Sequence, residues 1–259
     1  RFHYGAVPRL GGLGIFLGWL CGILLASLFD EGLARQAQPL QDYFTITLVA
    51  FVVAGIGSAE DFTQKVSPRW RLVLTAVTAS IAIYLIDLTV PHLDLGLIDH
   101  YWRQWPLPGI MLALLGLVGL THAFNLIDGY NGLAGLVAIL IALSYAYVSF
   151  KLGDRQLFIM SVCLIAATLG FLMLNYPRGL IFAGDGGAYF WGFTLALIGV
   201  MLVQRHPEVS PHNKFWWYPN RNSKLASILE TGSRLAKPFR YISAQVTSKF
   251  DQRSILAST

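Results

Sequence analysis

Long apolar stretches alternate with short polar segments along most of the chain. Seven stretches approach the roughly 20 residues that a helix needs to cross a bilayer. They lie at 11–29, 43–58, 71–90, 108–124, 132–150, 156–174 and 187–204. Glycine is frequent inside them, as is usual where transmembrane helices pack closely. The pattern predicts an all-α fold, a polytopic transmembrane helical bundle of about seven spans.

Composition favours the same fold class. Hydrophobic residues make up 55% of the 259 positions and charged residues 13%, whereas about one-quarter of a soluble domain is charged. The two cysteines, Cys21 and Cys163, lie inside apolar stretches. We therefore interpret them as small hydrophobic residues and not as a disulfide.

The net charge of +5 is concentrated at the C-terminal end. Residues 205–259 carry nine Lys and Arg against three acidic residues, a net of +6, so residues 1–204 sum to −1. We predict a transmembrane catalytic-type domain over 1–204 and a basic, divergent tail over 205–259. A basic segment beside membrane spans typically lies against anionic lipid, and we expect no nucleic-acid partner.

Basic residues also bear on orientation. The segments 1–10, 59–70, 125–131 and 175–186, with the bordering Arg71, hold six Lys and Arg, against four in 30–42, 91–107 and 151–155. The positive-inside rule therefore places the first set in the cytoplasm. The same topology puts the basic tail outside, which conflicts with that rule. Either a span is miscounted or the C-terminal part is atypical.

Carboxylates and carboxamides gather at span ends on this predicted cytoplasmic side. They are Glu60, Asp61, Asn125, Asp128, Asn131, Asn175 and Asp185. Asn125, Asp128 and Asn131 are spaced by three and could share one helix face. Oxygen ligands without clustered Cys or His suit Mg²⁺, with Mn²⁺ as an alternative. Magnesium commonly binds substrate phosphates, so the pattern favours phosphoryl transfer.

Structural explanations compete with this hypothesis residue by residue. The pair Glu60–Asp61 could be a solvated span end, Asp128 a helix cap, and Asp185 part of a turn between glycines. A transporter is a further alternative because of the many spans. We expect mid-membrane acidic residues in a transporter, and the apolar stretches lack them.

Four motifs, in this order, resemble one family: "PRLGG", "GSAED", "HAFNLIDGYNGLAG" and "NYPRGLIFAGDGGA". The chain is similar to the polyprenyl-phosphate N-acetylhexosamine-1-phosphate transferases, which include phospho-MurNAc-pentapeptide translocase, and most resembles the branch that initiates O-antigen or common-antigen synthesis. The resemblance implies transfer of a sugar-1-phosphate from a UDP-N-acetylhexosamine to undecaprenyl phosphate, with Mg²⁺ and release of UMP. It also implies a bacterial inner-membrane location with the site facing the cytoplasm. The oligomeric state is left open, with a homodimer as one alternative.

The resemblance assigns roles to matching positions. It implies that Asp185 ligates Mg²⁺, that Asn125 and Asp128 lie at the metal–diphosphate centre, and that the pair Glu60–Asp61 is catalytic, with Asp61 as the base for the lipid phosphate. The implied substrate-binding residues are Arg9, Asn131, Asn175 and Phe182.

The sequence also departs from the family pattern. Glu60 and Asn131 stand where the family usually has Asp, and His122 where it usually has Asn. The family's His-rich segment has no counterpart here, and its first and last spans are expected to be lacking from a sequence that begins at Arg1 without Met. The alternative function is therefore a truncated or inactive relative that binds nucleotide sugar or lipid without turnover.

Overall fold

The computed structural model describes residues 7–29, 37–93, 99, 102 and 105–207, apart from the side chains of 29 and 37–42. This part of the chain contains no strand and seven helices that are long and apolar enough to cross a membrane. They are α1 Gly11–Phe29, α2 Ala37–Thr63, α3 Pro68–Ile86, α4 Pro106–Ile127, α5 Leu133–Leu152, α6 Arg155–Asn175 and α7 Gly184–Arg205. The predicted all-α transmembrane bundle is confirmed, and the chain is a multi-pass membrane protein.

Two helices differ most from the predicted spans. Helix α2 continues to Thr63 and not to residue 58, so the acidic pair at its end is helical. Helix α3 begins at Pro68, because proline is well suited to the first helical position. It ends at Ile86 and not at residue 90, since Asp87 turns into the left-handed region (φ 53°, ψ 48°).

Helix α7 lies at the centre of the bundle. The other six helices form a ring in chain order around it, each contacting the next and α6 returning to α1. Of the apolar stretch of α7, 83% is buried, against 22–39% in the other helices. A helix surrounded by protein can be apolar on every side. Its buried aromatic side chains include Tyr189, Phe190, Trp191 and Phe193.

Glycines bring α1 and α7 into backbone contact at one end. A Cβ on Gly12 would collide with the backbone of Gly187, whereas a Cβ on Gly14 would meet nothing within 4 Å. The backbone N–H of Gly12 also donates to the carbonyl of Ala183 (2.9 Å). Small residues permit this approach between spans, and it fixes the height at which α7 begins.

We expect Gly12→Ala to destabilise the protein, because its methyl group has no space against the α7 backbone. The cost should be about 1–3 kcal/mol, as for other overpacked positions. Thermal unfolding in detergent measures it, with Gly14→Ala as the matched control. Equal unfolding temperatures for the two variants would contradict the close packing.

Polar segments at one end of the bundle are joined by backbone hydrogen bonds. Phe182 N–H donates to the carbonyl of Pro8, and Gly11 N–H to that of Phe182, both at 3.0 Å. At the other end, the Gln204 side chain bonds the backbone of Asp87 and Thr89. The basic tail beyond 207, and residues 94–98, 100, 101, 103 and 104 of the predicted outer loop, lie outside the described residues.

Candidate functional site

A cavity of about 290 Å³ opens at the end of the bundle where the polar segments meet. It is lined by Arg9, Asn125, Asp128, Gly129, Tyr130, Asn131, Asn175, Phe182, Gly184 and Asp185. All of the site residues predicted from the sequence, except Glu60 and Asp61, therefore line one cavity. Positions more than 170 residues apart in sequence are brought together by the ring of helices around α7.

Asp61 holds the beginning of α7. Its two carboxylate oxygens accept from the backbone N–H groups of Asp185 and Gly186, both at 3.0 Å. These are the groups that an N-cap side chain usually satisfies, and the actual N-cap residue, Ala183, offers no side-chain acceptor. A negative charge is also favourable at this helix end. Gly184, with φ at 70°, leaves room for the carboxylate, which a Cβ there would strike.

Asp185 projects from this anchored turn into a polar contact. Its Oδ2 lies 2.6 Å from Nη1 of Arg71 on α3, and its Oδ1 accepts from Nδ2 of Asn125 on α4 at 2.9 Å. The side chains of Arg71 and Asp185 are 20% and 23% exposed. Three helices therefore meet at one carboxylate on the cavity wall.

Asp128 is the second carboxylate of the cavity. It follows the last residue of α4, and its backbone N–H still bonds the carbonyl of Phe124 (3.2 Å). Burial, together with the negative charges of Asp185 and Asp61, raises the pKa of Asp128 to about 6. A bound cation would relieve this repulsion and favour the ionised form.

Two asparagines tie the walls of the cavity together. Buried Asn175 accepts from the backbone N–H of Gly132 (2.6 Å) and donates to the carbonyl of Ile181 (2.8 Å). Asn131 donates to the carbonyl of Pro177 (3.2 Å). The α4–α5 and α6–α7 connections are thereby held against each other.

Glu60 contacts the backbone of the α2–α3 connection. Its Oε2 accepts from the backbone N–H of Val66 (2.8 Å), which closes the α2–α3 connection. Neither Glu60 nor Asp61 lines the cavity, although the cap formed by Asp61 lies directly behind Asp185.

Arg71 is a site residue that sequence reasoning missed, because it counted only as a basic residue bordering a loop. The available signal was a cation at the first position of a predicted apolar span, which calls for a partner. Behind it, Tyr189 lies beside the Arg71 side chain. His122 packs edge-on against Tyr189 (centroids 5.2 Å apart), and its Nε2 lies 3.0 Å from Oγ1 of Thr75.

The donor set of the cavity fits a hard cation that also binds phosphate. Asp128 and Asp185 supply carboxylates, and Asn125 a carboxamide. Within the described residues, no three His, Cys, Asp or Glu side chains lie close enough to form a metal site by themselves. Mg²⁺ usually takes one or two protein carboxylates and fills its other positions with water and substrate phosphate. The cation Arg71 on Asp185 shows that this carboxylate already attracts positive charge.

Comparison with known proteins identifies the family. Residues 43–203 match the model of glycosyl transferase family 4. The chain belongs to this family. The match runs from α2 to the last turns of α7 and so includes the acidic residues of the cavity wall.

Two relatives carry specific names. The chain is 30% identical over 208 residues to a protein of Bacillus subtilis named "Probable undecaprenyl-phosphate N-acetylglucosaminyl 1-phosphate transferase", covering 78% of this chain and 53% of the relative. It is 25% identical over 203 residues to a phospho-N-acetylmuramoyl-pentapeptide-transferase of Streptococcus thermophilus, covering 75% of this chain and 58% of that relative. The chain thus spans little more than half the length of these family members.

Proposed function

We propose that the cavity transfers an N-acetylhexosamine-1-phosphate from a UDP-sugar to undecaprenyl phosphate, releasing UMP and starting a lipid-linked glycan. The observation that carries the proposal is the convergence of Asn125, Asp128 and Asp185 on one cavity at the end of a transmembrane bundle. At this position a water-soluble diphosphate can meet a phosphate whose polyprenyl chain stays in lipid. The names of the family relatives support the same class of reaction.

The proposal assigns a separate role to each of several cavity residues. Asp185 and Asp128 would hold Mg²⁺, which would neutralise charge on the diphosphate. Asn125 fixes the orientation of the Asp185 carboxylate through its hydrogen bond. Arg9 adds positive charge on the cavity wall, where two anionic substrates would otherwise repel each other.

In this proposal the nucleotide binds on the side of the cavity formed by the α6–α7 connection. Phe182 gives that wall an aromatic ring, and Asn175 and Asn131 keep the wall rigid through their backbone contacts. Asp61 as the base for the lipid phosphate stays a prediction. Its position behind Asp185 also supports a positioning role.

Transfer is measured with the purified chain in lipid, undecaprenyl phosphate and radiolabelled UDP-N-acetylglucosamine. We expect label to enter the lipid fraction as UMP appears in equal amount, and only when both substrates and Mg²⁺ are present. Omission of undecaprenyl phosphate is the control for simple hydrolysis. Binding of the UDP-sugar without either product would favour the non-catalytic alternative instead.

We also propose that the cavity faces the cytoplasm in a bacterial inner membrane. The motive is the excess of basic residues in the segments at that end of the bundle. The end that carries Trp105 then faces outward.

Single-cysteine labelling tests this orientation in intact cells. Cys21 and Cys163 are first replaced, and Thr63→Cys or Trp105→Cys then introduces an exposed thiol at one end or the other. We expect an impermeant maleimide to label Trp105→Cys alone, and both variants after the membrane is permeabilised. Labelling of Thr63→Cys from outside would reverse the orientation.

A further inference from the structure

The ion pair between Arg71 and Asp185 occupies the carboxylate to which the proposed function assigns a metal. Oδ2 of Asp185 contacts the guanidinium, and Oδ1 contacts the Asn125 amide. A directly bound Mg²⁺ requires its oxygen ligands at about 2.0–2.1 Å. The guanidinium at the same carboxylate would repel that second cation.

Asp185 and Arg71 differ in how much other stabilisation each has apart from the ion pair. Asp185 lies in the first turn of α7, where the helix dipole favours an anion, and the Asp185 backbone is separately capped by Asp61. Arg71 lies in the first turn of α3, where the dipole disfavours a cation. Its Nε is also buried without a hydrogen-bond partner, which is unfavourable. The carboxylate can therefore stay in place when Arg71 leaves.

We propose that Arg71 is an internal counter-ion that holds Asp185 in the metal-free protein and leaves this carboxylate when a divalent cation binds there. The inference rests on the proposed function, because it takes Asp185 as the metal ligand. Guanidinium and metal then compete for one site. Arg71 makes the protein stable without metal and at the same time weakens its affinity for metal.

Mn²⁺ binding to the purified full chain, without either substrate, measures this competition by the loss of the free-ion electron paramagnetic resonance signal. We expect Arg71→Gln to lower the Kd for Mn²⁺ by about tenfold, the factor that corresponds to one charged hydrogen bond at a partly exposed site. Arg9→Gln is the matched control. It removes one positive charge from the wall of the same cavity without touching the ion pair, so its effect should be clearly smaller.

A second variant keeps the test decisive if Arg71→Gln folds poorly. Arg71→Lys retains the charge but holds a carboxylate less firmly than the planar guanidinium, so its Kd should lie between those of the parent and Arg71→Gln. If Asp185→Asn abolishes Mn²⁺ binding but Arg71→Gln binds no tighter than Arg9→Gln, the counter-ion role is wrong and the metal assignment stands. If Mn²⁺ binds none of these proteins, the metal assignment fails and the counter-ion role fails with it.

Discussion

Asp185→Asn is expected to reduce sugar-1-phosphate transfer by about a hundred- to a thousandfold, the scale of losing one group that stabilises a transition state. The change is nearly isosteric, so the beginning of α7 should keep its cap from Asp61. What disappears is the negative charge that binds Arg71 in the resting protein and that the proposed function assigns to Mg²⁺. Initial rates at saturating UDP-sugar and lipid measure the loss.

Asp154→Asn is the matched control for this prediction. Asp154 is also a largely buried carboxylate, lying 3.4 Å from Nη1 of Arg205 and 3.2 Å from Nε2 of His206, but at the other end of the bundle. Its loss should lower the unfolding temperature and leave transfer per folded molecule unchanged. An Asp185→Asn protein that turns over like its parent would contradict the metal assignment.

The ionisation of Asp154 also leads to a prediction of how stability changes at acidic pH. Burial alone would raise its pKa, but hydrogen bonds from His206 and Leu157 and the charge of Arg205 outweigh it, so the pKa of Asp154 is lowered from 3.8. A lowered pKa stabilises the folded state fully above 3.8, and this contribution is lost as the pH falls through the lower folded value. The difference in free energy of unfolding between the parent and Asp154→Asn should therefore become smaller as the pH falls below 3.8.

Much of the fold follows from the sequence because lipid leaves few alternatives. A long apolar stretch in a bilayer must satisfy its backbone hydrogen bonds internally, so each such stretch becomes a helix. The ends were harder to predict, because they are fixed by local details such as the left-handed Asp87 and the proline at position 68. The central place of α7 has no signal in hydropathy alone, since the mean hydropathy of its stretch lies within the range of the other six.

The sequence indicates which residues belong to the candidate site, but not which of them contact one another. Motif residues converge because their span ends face the same way, which parity along the chain already indicates. Which oxygen meets which donor depends on helix height and rotation, and these are set by packing such as that of Gly12 on Gly187. Asp61 therefore looks like one half of an acidic pair in the sequence, whereas in the structure it caps another helix and Glu60 closes a loop.

Asp61→Ala is expected to damage stability and transfer together. Removing the carboxylate leaves the N–H groups of Asp185 and Gly186 without their acceptor, a loss of about 0.5–2 kcal/mol for a helix cap. The first turn of α7 should then shift or fray, and Asp185 with it. A displacement of about 1 Å can reduce a rate by about a hundredfold.

The two roles of Asp61 can be separated by measuring the protein without substrates. Loss of a cap lowers the unfolding temperature of Asp61→Ala in metal-free buffer, whereas loss of a catalytic base alone leaves it unchanged. Glu60→Gln is the comparison, because Gln can still accept from the backbone N–H of Val66 and the cap formed by Asp61 stays in place. We expect Asp61→Ala to unfold at a lower temperature than Glu60→Gln and to bind Mn²⁺ more weakly than the parent, since the displaced Asp185 no longer faces Asp128. An unfolding temperature and Mn²⁺ affinity equal to the parent's, with transfer still lost, would instead assign Asp61 to proton transfer and remove its positioning role.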